Sequence, residues 1–463
     1  MRYLSTRGQA PVLNFEDTLL TGLADDGGLY LPESWPRFSP DDFRAMAGLD
    51  YPALAARVIA PYVEGWIETP ELEAMARQAY DGFAHSAIVP LVQSGDNDWL
   101  LELFHGPTLA FKDMALQLLG RLFDRALERR DRRITVVGAT SGDTGSAAIA
   151  GLAGRERIDI VILYPHGRVS EVQRRQMTTV DAANVRCVAV EGTFDDCQAL
   201  LKSMFADRPF RERIGLAAVN SINWARVMAQ AAYYVAAAVR LGAPDREIAF
   251  SVPSANFGAA FAGYVAKSMG LPIHRMVIAT NANDILSRFL DSGEYRTTGV
   301  TPTLSPSMDI QVSSNFERLL FEVHGRDATA TRALMARLKQ SGGFTVEGAP
   351  MAATRDLMVG YRSDDAAIRA EIARMARETG MVIDPHTACG SAAARQVGID
   401  PAIPVVTHAQ AHPAKFPDAV EAAIGRRPVV PERLERVMHL PEHVTVLPND
   451  LAAVQAFITS SQR

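Results

Sequence analysis

The chain has 463 residues, of which 48% are apolar and 22% charged, and its formal net charge is −6. That length exceeds one small domain and suits two or three, with the composition of an ordinary globular protein. The negative charge argues against general nucleic-acid binding, yet leaves room for a local basic pocket that takes an anion.

Cys187, Cys197 and Cys389 lie far apart and form no Cys-x-x-Cys pair. A zinc site or disulfide framework is therefore not expected, and a reducing, cytoplasmic setting fits. The first eight residues hold no apolar core of a secretion signal, and no run of eighteen apolar residues occurs, so no membrane span is expected. Internal repeats and low-complexity tracts are not apparent.

Residues 1–95 read as an N-terminal unit. Asp25-Asp26-Gly27-Gly28 marks a turn before Leu29-Tyr30-Leu31, and helical patterns follow over 51–62 and 70–83. From there strand, loop and helix alternate. Residues 96–245 are expected to form a smaller α/β domain and residues 246–463 a larger one.

The stretch Leu101-Glu-Leu-Phe-His-Gly-Pro-Thr-Leu-Ala-Phe-Lys-Asp113 precedes a helical pattern over 114–130, with Asp113 as its expected N-cap. Lys112 thus falls at a loop-to-helix junction beside apolar residues. Burial and the positive helix end both disfavour an ammonium, and a neutral, positioned amine is what Schiff-base chemistry needs. A surface lysine whose stem covers apolar neighbours is the plainer alternative.

Strand patterns follow at 134–137, 159–164, 185–190, 248–252, 276–279 and 403–407, with helices at 146–152, 194–205, 224–241 and 259–269. Apolar strands alternating with helices imply parallel sheets covered on both faces. Ligands bind such sheets at the carboxyl ends of the strands, which singles out loops 138–145, 253–258 and 407–412.

Loop 138–145, Gly-Ala-Thr-Ser-Gly-Asp-Thr-Gly, offers amides and hydroxyls at a helix start, as an anion site does. Its spacing is neither a dinucleotide fingerprint nor a P-loop, and a tight turn without a ligand is the alternative. Pro253-Ser254-Ala255-Asn256-Phe257-Gly258 has the same logic. Two anion loops and one candidate amine match the needs of pyridoxal 5'-phosphate and an amino-acid substrate. His408 and His412 are four apart, but Pro413 follows and no carboxylate lies between them, which disfavours a metal site.

Taken together, residues 101–113, loop 138–145, Asn220-Ser-Ile-Asn-Trp-Ala-Arg226, Ser307-Met-Asp-Ile310 and Ala411-His-Pro-Ala-Lys-Phe416 resemble threonine synthase, in the same order and spacing over most of the chain. The resemblance implies a fold-type II pyridoxal-phosphate enzyme of α/β architecture with an N-terminal extension. It also implies conversion of O-phospho-L-homoserine and water to L-threonine and phosphate, by a monomer or homodimer.

By this resemblance Lys112 is the cofactor-attaching and proton-moving lysine. Ser254, Ala255, Asn256, Phe257 and Gly258 hold the cofactor phosphate. Thr108, Ser141, Gly142, Asp143 and Thr144 face the substrate, Asp143 also facing the cofactor. Gln410 stands near the pyridine nitrogen, and Arg168, Ser170 and Lys415 are candidates for the substrate phosphate.

Four residues depart from the family's pattern. Ala255 replaces a glycine, Ala259 an aspartate, Ala282 an acidic residue and Gln410 a threonine. If Ala255 requires a positive φ, its Cβ costs roughly 1–2 kcal/mol. Two alternatives stay open on these departures: a sister pyridoxal-phosphate lyase or replacement enzyme acting on a related phosphorylated amino acid, and a catalytically silent paralogue.

Overall fold

The computed structural model describes residues 1–217, 219 and 221–462. Asn220, which opens one of the motifs above, lies outside the described residues.

Two sheets organise the chain. The larger runs Met358–Arg362, Ile273–Thr280, Ile248–Pro253, Val405–Ala409, Asp98–Glu102, Leu91–Gln93. Its strands are parallel except for the last pair. The smaller runs Thr445–Pro448, Val185–Glu191, Ile158–Pro165, Ile134–Ala139, Leu216–Ala217 and is parallel throughout. Ile158–Pro165 is buried along its whole length, as expected for a strand covered on both faces.

The sheets draw strands from both sides of the expected boundaries. Asp98–Glu102 joins the larger sheet, against Val405–Ala409, and Thr445–Pro448 closes one edge of the smaller. The division at residue 245 therefore separates neither sheet cleanly.

The helix Trp224–Arg240 is buried from Trp224 to Val239. It packs on Tyr51–Ile59, Lys112–Arg129 and Gly258–Ser268. The alanines at 229, 231, 232, 236, 237 and 238 give it a thin profile, so close neighbours fit on every side.

The N-terminal residues share this core. Tyr3 and Tyr62 meet the Trp224 ring at 6.2 and 5.5 Å between centroids. Arg7 grips Glu317 with two 2.9 Å bonds, and the buried Arg318 donates to the backbone oxygens of Tyr30 and Ile222.

The helix expected at 114–130 begins two residues earlier, as Lys112–Arg129. Its N-cap is Phe111, with no side-chain cap, so Asp113 is not the cap. Asp113 lies in the first turn and folds back to accept from the Thr108 amide (2.7 Å) and hydroxyl (2.8 Å). Among the described residues, no helix is long and apolar enough to cross a membrane.

Candidate active site

Three adjacent parallel strands, Ile248–Pro253, Val405–Ala409 and Asp98–Glu102, end at one place. The chain leaving Glu102 folds back along residues 409–412. Leu103 N donates to Ala409 O (3.1 Å), Phe111 N to Gln410 O (2.8 Å) and His412 N to Leu109 O (3.0 Å). This lacing delivers Lys112 to the strand ends. Gly106 belongs to the same device, because a Cβ there would lie 2.5 Å from Asp113 Cβ. Burial raises the Asp113 carboxyl to about 6, against the opposing bonds from Thr108 and the charge of Lys415.

Loop 138–145 approaches from the smaller sheet. Thr140 Oγ1 accepts from the amides of Gly142 and Gly145, both at 3.0 Å, which curls the loop into the helix Asp143–Leu152. Gly142 has φ 147°, and a Cβ on it would sit 2.4 Å from Gln173 Cδ. Only glycine suits that position.

The curl aims Asp143 at two lysines. Its Oδ1 lies 2.9 Å from Lys415 Nζ and also accepts from Gln173 Nε2 at 2.9 Å. Its Oδ2 lies 3.6 Å from Lys112 Nζ and accepts from Ser307 Oγ at 3.3 Å. Burial opposes the ionised form of Asp143, but the two ammoniums and Gln173 outweigh it and hold the carboxyl well below its usual range.

Lys112, with 11% of its side chain exposed, has its proton affinity lowered by burial first. Asp143 opposes the shift, while Lys415 and Arg226 add to it. The other substrate-facing residues expected from the sequence cluster here as well. Thr108 is buried, Thr144 half-buried and Ser141 exposed.

Loop 253–258 leaves the carboxyl end of Ile248–Pro253, one of the three strands. Ser254 N donates to Ala279 O (2.9 Å), and Asn256 O accepts from Asn315 N (3.0 Å) and Nδ2 (2.9 Å). The amides of Ala255, Asn256, Phe257 and Gly258 find no acceptor among the described residues. Neither does the buried hydroxyl of Ser254. Ala255 takes no positive φ, so the cost conditional on one does not arise. The left-handed residue is Phe257, φ 61°, one step before the helix Gly258–Ser268.

Ala259 sits in the hydrophobic core. Ala282 lies between Asn281 and Asn283, whose amides bind the Asp309 carboxylate at 2.8 and 2.9 Å. That carboxylate also takes the Thr303 hydroxyl (2.7 Å) and amide (2.9 Å), and so fixes the turn that carries Ser307.

Gln410 is 5% exposed. Its amide N–H is held by Thr387 Oγ1 at 2.9 Å, while its side-chain Nε2 has no partner.

Of the three residues considered for the substrate phosphate, Lys415 is committed to Asp143 and Thr108 O (2.7 Å). Ser170 caps the helix Glu171–Thr178, and Arg168 is exposed. The sequence reasoning missed Arg226. It is 3% exposed, donates to Val219 O (2.9 Å), leaves Nε unpartnered and has no carboxylate partner among the described residues. The signal for it was an arginine at the start of an otherwise apolar, alanine-rich helix.

Family models match three consecutive stretches: threonine synthase N terminus over residues 2–80, pyridoxal-phosphate dependent enzyme over 90–359, and threonine synthase, C-terminal, over 387–458. The threonine synthase of Pseudomonas aeruginosa is 53% identical over 460 residues, covering 99% of this chain and 98% of that protein. The crystal structure of PLP-bound threonine synthase from Brucella melitensis has a TM-score of 0.98 and 54% identity, covering all of both chains. The yeast threonine synthase structure gives 0.95 and 39%, covering 99% of this chain and 98% of that one.

Proposed function

The chain belongs to the threonine synthase family, and from that premise we propose that it converts O-phospho-L-homoserine and water to L-threonine and phosphate with pyridoxal 5'-phosphate as cofactor. The observation that carries the reading is a charge imbalance around a reactive amine. Lys112, Lys415 and Arg226 stand together with Asp143 as the carboxylate shared by the two lysines. A buried excess of positive charge is costly unless a ligand supplies anions, and both cofactor and substrate carry phosphate.

The residues fit the cofactor. Its phosphate would be held by the free amides of residues 255–258 and the unpartnered Ser254 hydroxyl, at the start of the helix Gly258–Ser268. Lys112 would attach it, and Gln410, whose buried side-chain Nε2 is unpartnered, would offer its ring an amide donor. When bound, pyridoxal phosphate supplies an electron sink that acidifies the hydrogens on the substrate's Cα and Cβ.

The protein's own groups do the rest. Lys112 Nζ, with its lowered proton affinity, takes protons from Cα and Cβ and returns protons to Cγ and Cα. Asp143 faces that nitrogen at 3.6 Å as its nearest carboxylate. The amides at the start of Asp143–Leu152, with Ser141 and Thr144, hold the substrate carboxylate. Arg226 meets phosphate charge. The Cγ–O bond breaks with phosphate keeping the electron pair, the hydroxyl of water is added at Cβ, and the remaining proton of that water ends on the released phosphate. A cytoplasmic enzyme suits this reading, since the three cysteines are free and buried.

Incubation of the cofactor-loaded enzyme with O-phosphohomoserine tests the proposal. Equal amounts of phosphate and L-threonine are expected. Phosphate with 2-oxobutyrate would identify a lyase instead, and no phosphate release would leave a silent paralogue.

A further inference from the structure

The chain uses arginine for nearly all its positive charge. Of 47 basic residues only five are lysines: Lys112, Lys202, Lys267, Lys339 and Lys415. Two of the five share one buried carboxylate. Lys415, with no side-chain exposure, holds Asp143 Oδ1 at hydrogen-bond distance, whereas Lys112 stands 3.6 Å from Oδ2, beyond it. Gln173 and Ser307 occupy further lone pairs of the same carboxylate. The contest for Asp143 is therefore unequal, and Lys112 has the weaker share.

This inequality has a thermodynamic consequence. If Lys112 were the sole cation on Asp143, losing its proton would strand a buried carboxylate without a counter-ion. Removing one partner of such a pair costs several kcal/mol, so Lys112 would be locked in its charged form. A second ammonium on Asp143 removes that penalty.

The charged groups around the three are few. Lys112 faces Asp143, Lys415 and Arg226, with the Phe111 ring 5.0 Å away. Asp143 faces Lys112 and Lys415. Lys415 faces Asp143 and, beyond Thr108, Asp113.

We propose that Lys415 is a positioning residue for Lys112. It captures Asp143, leaves the Lys112 amine without a hydrogen bond to that carboxylate, and serves as the counter-ion of Asp143 when Lys112 gives up its charge. The inference rests on the reading that Lys112 carries the cofactor, and extends it to a residue whose own polar contacts are Asp143 and Thr108 O.

The test uses the cofactor-loaded wild type and Lys415→Met, Lys415→Gln and Lys415→Arg. Borohydride reduction and peptide mass spectrometry first locate the cofactor label. The pH midpoint of the visible absorption of the lysine–cofactor linkage is then measured in each. Loss of the Lys415 charge is expected to raise that midpoint by about one pH unit or more in the two neutral variants. Lys415→Arg, which keeps the charge, is expected to stay close to wild type.

Label on Lys112 with an unmoved midpoint in folded neutral variants overturns the inference alone. Absence of label on Lys112 in the wild type removes the reading beneath it as well. Neutral variants that do not fold, beside a folded Lys415→Arg, overturn it too, because a purely structural cation then accounts for the residue.

Discussion

Replacing Arg226→Met should make the cofactor-free protein more stable and less responsive to phosphate. Burial brings the guanidinium down to about 10, well below its ordinary value. A depression of that size puts the cost of keeping this charge inside at roughly 3 kcal/mol. Against that stands one hydrogen bond, to Val219 O, worth about 1 kcal/mol. Methionine fills the space of the stem without the charge. A net gain of about 1–3 kcal/mol follows for the protein without ligands.

Urea unfolding with and without inorganic phosphate reads both effects. For the wild type, phosphate at a hundred times its dissociation constant adds about 2.7 kcal/mol. The variant should start higher and gain little. A variant that is less stable than wild type by more than about 1 kcal/mol, with an unchanged response to phosphate, would refute the reasoning.

Lys112→Ala should abolish both the visible absorption of the loaded enzyme and turnover, and a variant that retains phosphate release would place the proton transfers elsewhere. His408 lies among Tyr233, Tyr234 and Phe250, with both ring nitrogens unpartnered and its pKa brought down to about 3 by burial. The unfolded chain takes up that proton near 6.5, so stability present above 6.5 is lost as pH falls toward 3, by roughly 2–3 kcal/mol at pH 4.5. In His408→Phe this part of the acid sensitivity should vanish from denaturation curves at pH 7 and 4.5. Asp309→Ala strips a carboxylate of its bonds from Asn281, Asn283 and Thr303, and should cost about 2–4 kcal/mol in unfolding free energy and slow turnover by loosening the Ser307 turn. Gln410→Thr keeps the backbone bonds to Thr387 and Phe111 while removing an unpartnered amide, and threonine formation should rise; a fall would show that the amide serves this site.

The parts of the fold visible in the sequence are those whose burial is uniform. Ile134–Ala139, Ile158–Pro165 and Ile248–Pro253 are buried along nearly all their length, and their apolar runs say so. The strand Met358–Arg362 is half-exposed and contains a glycine, and Thr445–Pro448 is an edge strand with alternate residues in solvent. Neither offers a run long enough to separate it from a loop. The loops of the site were legible because strand ends and small residues mark them.

Partnership was harder to read. Nothing near Asp113 in the sequence says that its carboxylate turns back to Thr108 rather than capping the helix. The distance between Lys415 and Asp143 along the chain hides their pairing. The positive φ fell on Phe257 instead of Ala255, a choice made by how Asn315 and Ser313 grip the loop's carbonyl groups.

The interleaving of the sheets governs the order in which the molecule is built. Asp98–Glu102 waits for Val405–Ala409 across about three hundred residues, and Val185–Glu191 waits across about two hundred and fifty for Thr445–Pro448. On a ribosome adding roughly 5–20 residues per second, Asp98–Glu102 lacks its parallel neighbour for tens of seconds. Val185–Glu191 meanwhile keeps an unpaired edge. Such edges are templates for pairing with the wrong chain. A chaperone's residence on the nascent chain should therefore end with the emergence of the last two of these strands, and a stalled chain cut short of residue 405 should aggregate rather than wait.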